Sequence, residues 1–198
     1  MIFSFDKIKN IKLAADTINK GKIIVYSTDT LYGFGVDATN DNCIKKLNNI
    51  KGRLQPYSII VSSFDMLKKY AKTDDKIIQK LEKILPGPFT AILNKNNSNL
   101  SKYVSNNLST IGIRIPDFKP ILEVVELIDK PIITTSVNIH NQKSLNSIKE
   151  IQKQFPDFDI FSDHIQKKSK GSTIIDFSKS EYKILRQGDG EAKIWKYI

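Results

Sequence analysis

Three arginines stand out among the cationic side chains of this sequence. Lys and Arg together number 31, yet only Arg53, Arg114 and Arg186 are arginine. Heavy use of Lys, Ile and Asn is the mark of a composition drawn toward A/T-rich codons, in which arginine gives way wherever a plain positive charge is enough. A planar guanidinium that grips a carboxylate or phosphate through two parallel bonds has no lysine substitute. The three survivors therefore point to anion recognition, with ordinary ion pairing as the alternative for each taken singly. A second group is Ser27-Thr28-Asp29-Thr30, which offers three hydroxyls and a carboxylate just after an apolar run. Gly33 and Gly35 behind it allow close backbone approach. Lys51-Gly52-Arg53 closes a predicted helix and also fits a cationic terminus complementing the helix dipole. Thr134-Thr135-Ser136-Val137-Asn138, with Ser144 nearby, could hold a ligand or make an ordinary turn.

The elements that must position these groups read as alternating helices and strands. Ile8, Ile11, Leu13, Ala14, Ala15 and Ile18 recur at helical spacing, which predicts a helix from Asp6 to Lys20 with Asp6 as cap and Gly21 as stop. Strands are predicted at 22–26, 31–38, 57–61, 89–93, 110–115, 132–135, 159–162, 172–176 and 183–185. Further helices are predicted at 41–51, 63–70, 73–85, 117–128 and 147–155, and the polar stretch 94–107 reads as a mobile surface loop. Such interleaving predicts an α/β fold, and the closely spaced late strands make the sheet mixed rather than purely parallel.

Composition narrows the function classes. At 198 residues the chain suits one domain, with 40% hydrophobic and 26% charged residues in the range of globular proteins. No apolar run approaches the ~20 residues of a bilayer span, and the N-terminus lacks the pattern of a secretory signal, so the expected compartment is the cytoplasm, with no membrane. Cys43 is the single cysteine; it excludes an internal disulfide and a thiolate-rich zinc site, and reads as a small buried hydrophobe. The net charge of +10 favours anionic partners, RNA included, but the lysines are scattered and no RNA motif with interleaved aromatics is present. Neither a Walker A sequence nor the dinucleotide fingerprint occurs.

Taken together, STDTLYGFGVDA at 27–38, KGR at 51–53, PGPFT at 86–90, TIGIRIP at 110–116, SVN at 136–138, GSTIID at 171–176 and ILRQG at 184–188 resemble the YrdC-like family, the L-threonylcarbamoyladenylate synthases. The resemblance spans about residues 8–190. It implies a single-domain YrdC-like twisted mixed sheet flanked by helices, leaving no room for the further C-terminal domain of longer members. The implied reaction joins L-threonine, bicarbonate and ATP into threonylcarbamoyl-AMP and pyrophosphate, the first step of the t6A modification of tRNA. It also implies downstream t6A transferase proteins as partners, a possible tRNA contact, and Mg²⁺ held mainly by the substrate phosphates.

By the same resemblance, Lys51, Arg53, Ser136 and Asn138 match the family's KxR and SxN residues on the nucleotide side. Thr110, Asn146 and Arg186 match further ATP contacts, and Thr30, Arg114, Ser136 and Ser172 line the threonine side, with Arg114 expected to pair bidentately with the amino-acid carboxylate. Asp29 and Asp37 would either help hold Mg²⁺ through water or cap turns. His140 reads as a solvent-facing loop residue. This chain departs from the family at Ser27, Leu54 and Gln187, where proline is usual, at Val137 for alanine, and at Ile139-His140-Asn141-Gln142. These departures keep two alternatives open: a nucleotide-binding paralogue with altered or lost activity, and a non-enzymatic RNA-binding module.

Overall fold

The computed structural model describes residues 1–52, 54–163 and 168–190. In chain order the elements are β1 (Ile2–Ser4), α1 (Ile8–Asn19), β2 (Ile24–Tyr26), β3 (Gly33–Gly35), α2 (Asp41–Lys51), β4 (Ser58–Ile60), α3 (Phe64–Tyr70), α4 (Asp75–Leu81) and β5 (Phe89–Asn94). There follow α5 (Lys102–Ser105), β6 (Thr110–Arg114), α6 (Lys119–Ile128), β7 (Ile132–Ser136), α7 (Ile148–Gln154), β8 (Asp159–Ser162), β9 (Thr173–Asp176) and β10 (Lys183–Arg186). The strands join one sheet in the order β1-β8-β2-β3-β7-β4-β6-β5-β9-β10. It is mixed, as expected: β8 pairs parallel with β1 and β2, β4 with β6, and β5 with β9, while the other neighbours run antiparallel.

The central strands are short, β-branched and wholly buried. Ile24, Val25, Ile59, Ile60, Ile132 and Ile133 have no exposed surface, as strands covered on both faces require. In α1 the residues Ile11, Ala14, Ala15 and Ile18 are buried along one stripe, and the helix packs beside α6 through its own stripe of Ile121, Val124, Val125 and Ile128. Gly21 ends α1 with φ +71°, donating its N–H to the Ile18 carbonyl. Cys43 is buried in α2 and donates weakly to the Gly21 carbonyl, as a small hydrophobe would.

Several expectations are corrected. Asp6 does not cap α1: Lys7 holds that position without a side-chain bond, and the Asp6 carboxylate accepts from Ser4 Oγ instead. The helix predicted over 73–85 ends at Leu81, after which turns carry the chain to Leu85. The 94–107 stretch is not a bare loop. Val104 in α5 has no exposed surface and its carbonyl accepts from Tyr57 N, while Lys95 Nζ donates to the buried Ser105 Oγ and Ser101 N to the Ala38 carbonyl, so apolar anchoring and hydrogen bonds of this kind hold a polar sequence in place. No helix among the described residues is long and apolar enough to cross a membrane.

Candidate active site

The period-2 alternation of the strands gathers polar groups on one face of the sheet. Ser58 of β4 lies beside Thr134 of β7 on one side and Gly112 of β6 on the other, and Thr90 of β5 lies beside Ile174 of β9. A cavity of about 360 Å³ opens on this face, within the range of small-molecule sites. Five of the residues expected from sequence line it: Thr30, Arg114, Ser136, Ser172 and Arg186. The site thus lies across the face of the sheet.

Arg114 ends β6 and is buried at 6% exposure. Its Nη2 donates to Asp29 Oδ1 at 2.6 Å, Nε to the Phe89 carbonyl at 3.3 Å and Nη1 to Thr30 Oγ1 at 3.4 Å. Asp29 is equally enclosed, and its second oxygen accepts the Asp117 N–H at 3.1 Å. The expectation of a two-bond grip on a substrate carboxylate is therefore corrected: one arm of the fork already holds an internal carboxylate, and Nη1 is the edge left toward Thr30. Breaking such a buried pair leaves a stranded charge, which fixes the guanidinium in place. Thr30 is set by its neighbour, since its N–H donates to Thr28 Oγ1 and the two hydroxyls lie 3.1 Å apart.

The opposite wall comes from the last strands. Ser172, just before β9, shares a hydrogen bond of 2.7 Å with Thr90 Oγ1. Arg186, at the end of β10, donates from Nε and Nη2 to the Ser172 carbonyl and from Nη2 to Ser172 Oγ. Asp189 clamps the strand entry: its carboxylate accepts from Ser169 Oγ and Lys170 N, and its N–H donates to the Gly171 carbonyl. Burial first, and then the charge of Arg114, lowers the Arg186 pKa from its ordinary value. The two guanidinium groups thus sense each other through a hydroxyl-lined cavity, an arrangement that an anion would relieve.

Lys51 and Asn138 are not among the residues lining this cavity, but they build the corner beside Ser136. Lys51, the last residue of α2, is 2% exposed; its Nζ donates to the Ser136 carbonyl at 2.8 Å and to Asn138 Oδ1 at 2.5 Å. Asn138 Oδ1 also accepts from Ser136 Oγ, and its amide donates to the Gln142 carbonyl. His140 is half-buried rather than solvent-facing, its backbone N–H bound to the Lys51 carbonyl. Thr110 stands at the far end of β6 from Arg114, and Asn146 lies just before α7; neither lines the cavity. Arg53 lies outside the described residues.

Comparison with known proteins places this geometry. The Sua5/YciO/YrdC family model, described as telomere recombination, matches residues 16–188. The chain belongs to the Sua5/YciO/YrdC family. A Methanocaldococcus jannaschii relative, provisionally named threonylcarbamoyl-AMP synthase, is 35% identical over 92% of this chain and 87% of its own length. A threonylcarbamoyl-AMP synthase of Pyrococcus abyssi is 32% identical over 73% of this chain and 43% of its own, so the present chain spans less than half of that relative. The crystal structure of P. abyssi Sua5 complexed with L-threonine superposes with a TM-score of 0.86 at 28% identity, covering 95% of this chain and 57% of that one.

Within the Sua5/YciO/YrdC fold of this chain, some site groups escaped the sequence reading. Thr90 and Tyr32 line the cavity, and only the alternation along β5 hinted that Thr90 would face it. The role of Asp29 was misread, because its partner Arg114 is 85 residues away. Asp37 does cap a turn, accepting from Thr39 N and Oγ1, and it also pairs with Lys130. Among the described residues no group of three or more His, Cys, Asp or Glu could cage a metal, and both Asp29 oxygens are engaged. A divalent cation here would fit only if its ligands came chiefly from a phosphate-bearing substrate.

Proposed function

We propose that this chain is an L-threonylcarbamoyladenylate synthase, converting L-threonine, bicarbonate and ATP into threonylcarbamoyl-AMP and pyrophosphate. The carrying observation is the hydroxyl-lined cavity in which Arg114, backed by Asp29 and Thr30, faces Arg186 across Thr90 and Ser172. The L-threonine complex of the similar Sua5 supports this assignment of substrate. Threonine's amine nitrogen adds to the bicarbonate carbon with loss of water, giving a carbamate. A carbamate oxygen then attacks the α-phosphorus of ATP as the bond to pyrophosphate breaks. Such a displacement asks the protein mainly to align reactants and to stabilise charge that develops on phosphate oxygens.

In this reading Thr30, the Nη1 edge of Arg114, Ser136 and Ser172 hold the amino acid. Arg53, Lys51, Asn138, Thr110, Asn146 and Arg186 serve ATP, with Lys51 acting largely by holding the Ser136–Asn138 turn. Mg²⁺ would arrive with the phosphates and neutralise their charge. We read the chain as one YrdC-like domain working in the cytoplasm, handing its adenylate to t6A transferase proteins, with its positive charge available to tRNA. The test is to incubate the pure protein with ATP, labelled bicarbonate and single amino acids. Threonine-dependent release of pyrophosphate together with a threonylcarbamoyl-adenylate is expected. Nucleotide binding without product, or tight RNA binding without either substrate, would overturn the reading.

A further inference from the structure

Tyr26 Oη is the only buried side-chain polar atom among the described residues that makes no hydrogen bond of good geometry. Such a group costs roughly 1–3 kcal/mol when left unpaired, so its persistence in a core asks for a reason. The ring leaves β2, has no exposed surface and lies across β3. A Cβ at Gly35 would fall 2.7 Å from Tyr26 Cε1, and one at Gly33 would fall 3.4 Å from Tyr26 Cζ and 3.5 Å from Thr134 Oγ1. The Gly-Phe-Gly of the sequence thus serves the passage of a phenol under β3. The phenol ends beside Gly33, where Thr134 Oγ1 of β7 also lies, and Thr134 is one of the residues lining the cavity.

We infer that Tyr26 is a positioning residue for the amino-acid half of the site: its hydroxyl donates to Thr134 Oγ1, which turns the Thr134 hydrogen toward an oxyanion of the bound threonine. Burial pushes the Tyr26 phenol well above its ordinary value of 10, with Thr134 and Arg114 opposing and Asp29 adding to the rise. The phenol therefore stays protonated and acts as a donor across the working pH range. A hydroxyl that accepts from such a donor has its own hydrogen left to give, and the cavity is where it can be given. The inference rests on the synthase reading for the identity of the anion.

Tyr26→Phe removes one oxygen and keeps the ring over the two glycines. Calorimetry should show L-threonine binding about tenfold more weakly, the scale of one hydrogen bond to a charged group, with the melting temperature close to the parent's because the ring keeps its packing. Thr134→Val should weaken threonine similarly, Thr134→Ser should restore it, and adding Tyr26→Phe to Thr134→Val should change nothing further. Affinity for L-threonine equal to the parent's, equal further losses in the Thr134→Val background, or failure of Tyr26→Phe to fold would each overturn the inference. A parent protein that binds L-threonine yet forms no adenylate overturns the synthase reading and leaves this test readable; one that binds no L-threonine overturns both.

Discussion

The Arg114 corner and the Lys51 corner solve the same problem, holding a buried cation at a site for anions, in opposite ways. Arg114 spends its planar fork on three acceptors from two segments far apart in sequence: Asp29 and Thr30 in one turn, and Phe89 in β5. Its position is set by strands and by a carboxylate as buried as itself. Lys51 reaches from a helix end to a carbonyl and an amide oxygen in a single turn, and that turn runs on into the irregular segment before α7. The first arrangement is rigid in orientation and suits a ligand whose geometry must be selected. The second places a compact charge that tolerates reorientation and suits the more forgiving geometry of a polyphosphate.

Substitutions sharpen that contrast. The largest expected effect is Arg114→Lys: an ammonium cannot reach Asp29, Phe89 and Thr30 together, so kcat/KM for threonine should fall about 100-fold while the KM for ATP stays within about threefold. Equal losses for both substrates in steady-state kinetics would erase the distinction between the corners. Asn138→Ala should show the mirror pattern, raising the KM for ATP about tenfold with threonine affinity by calorimetry falling by no more than about threefold, because it takes one of two acceptors from Lys51 and leaves the Ser136 hydroxyl in place but without its partner. Thr90→Val removes the partner of Ser172 Oγ and should weaken threonine by only about fivefold, since the Arg186 bonds to Ser172 remain.

A smaller effect is a matter of pH. Burial raises the phenols of Tyr26, Tyr32 and Tyr70 above their ordinary value of 10. The folded values exceed the unfolded ones, so the stability gained by keeping these phenols neutral is complete below pH 10 and is lost as the pH rises beyond it. Denaturation midpoints should therefore fall above pH 10, and Tyr26→Phe should make that fall shallower by about 1.4 kcal/mol per pH unit. An identical slope in the variant would mean that Tyr26 titrates freely in the fold.

Much of this was legible in the chain itself, and the limits have physical causes. Buried β-branched runs announced β2, β4 and β7, and the hydroxyl and arginine motifs marked most of the cavity wall. β1 escaped because Ile2–Ser4 is partly exposed and carries no run of buried β-branched residues, and α5 because its apolar residues Tyr103 and Val104 stand in a polar stretch. The pairing of Asp29 with Arg114 and the path of Tyr26 toward Thr134 are tertiary facts. A turn carboxylate and an apolar-run tyrosine look the same in sequence whether or not such partners exist. The expected two-bond grip of Arg114 gives way to a single available edge for that reason: the sequence displayed the guanidinium but hid the carboxylate that already occupies one arm of it.

The parallel pairing of β9 with β5 also orders events in time. Chains emerge from the ribosome N-terminus first, and domains begin to organise as they do. Once residue 136 has been made, Thr30, Arg114, Thr134 and Ser136 can all be present, yet Thr90 still lacks Ser172 and the strand that carries it. The half-built face then exposes β5 as a temporary open edge, a surface prone to wrong pairing until β9 arrives. Competence to bind is thus a late product of synthesis, and a ribosome stalled before residue 172 would display an unfinished pocket.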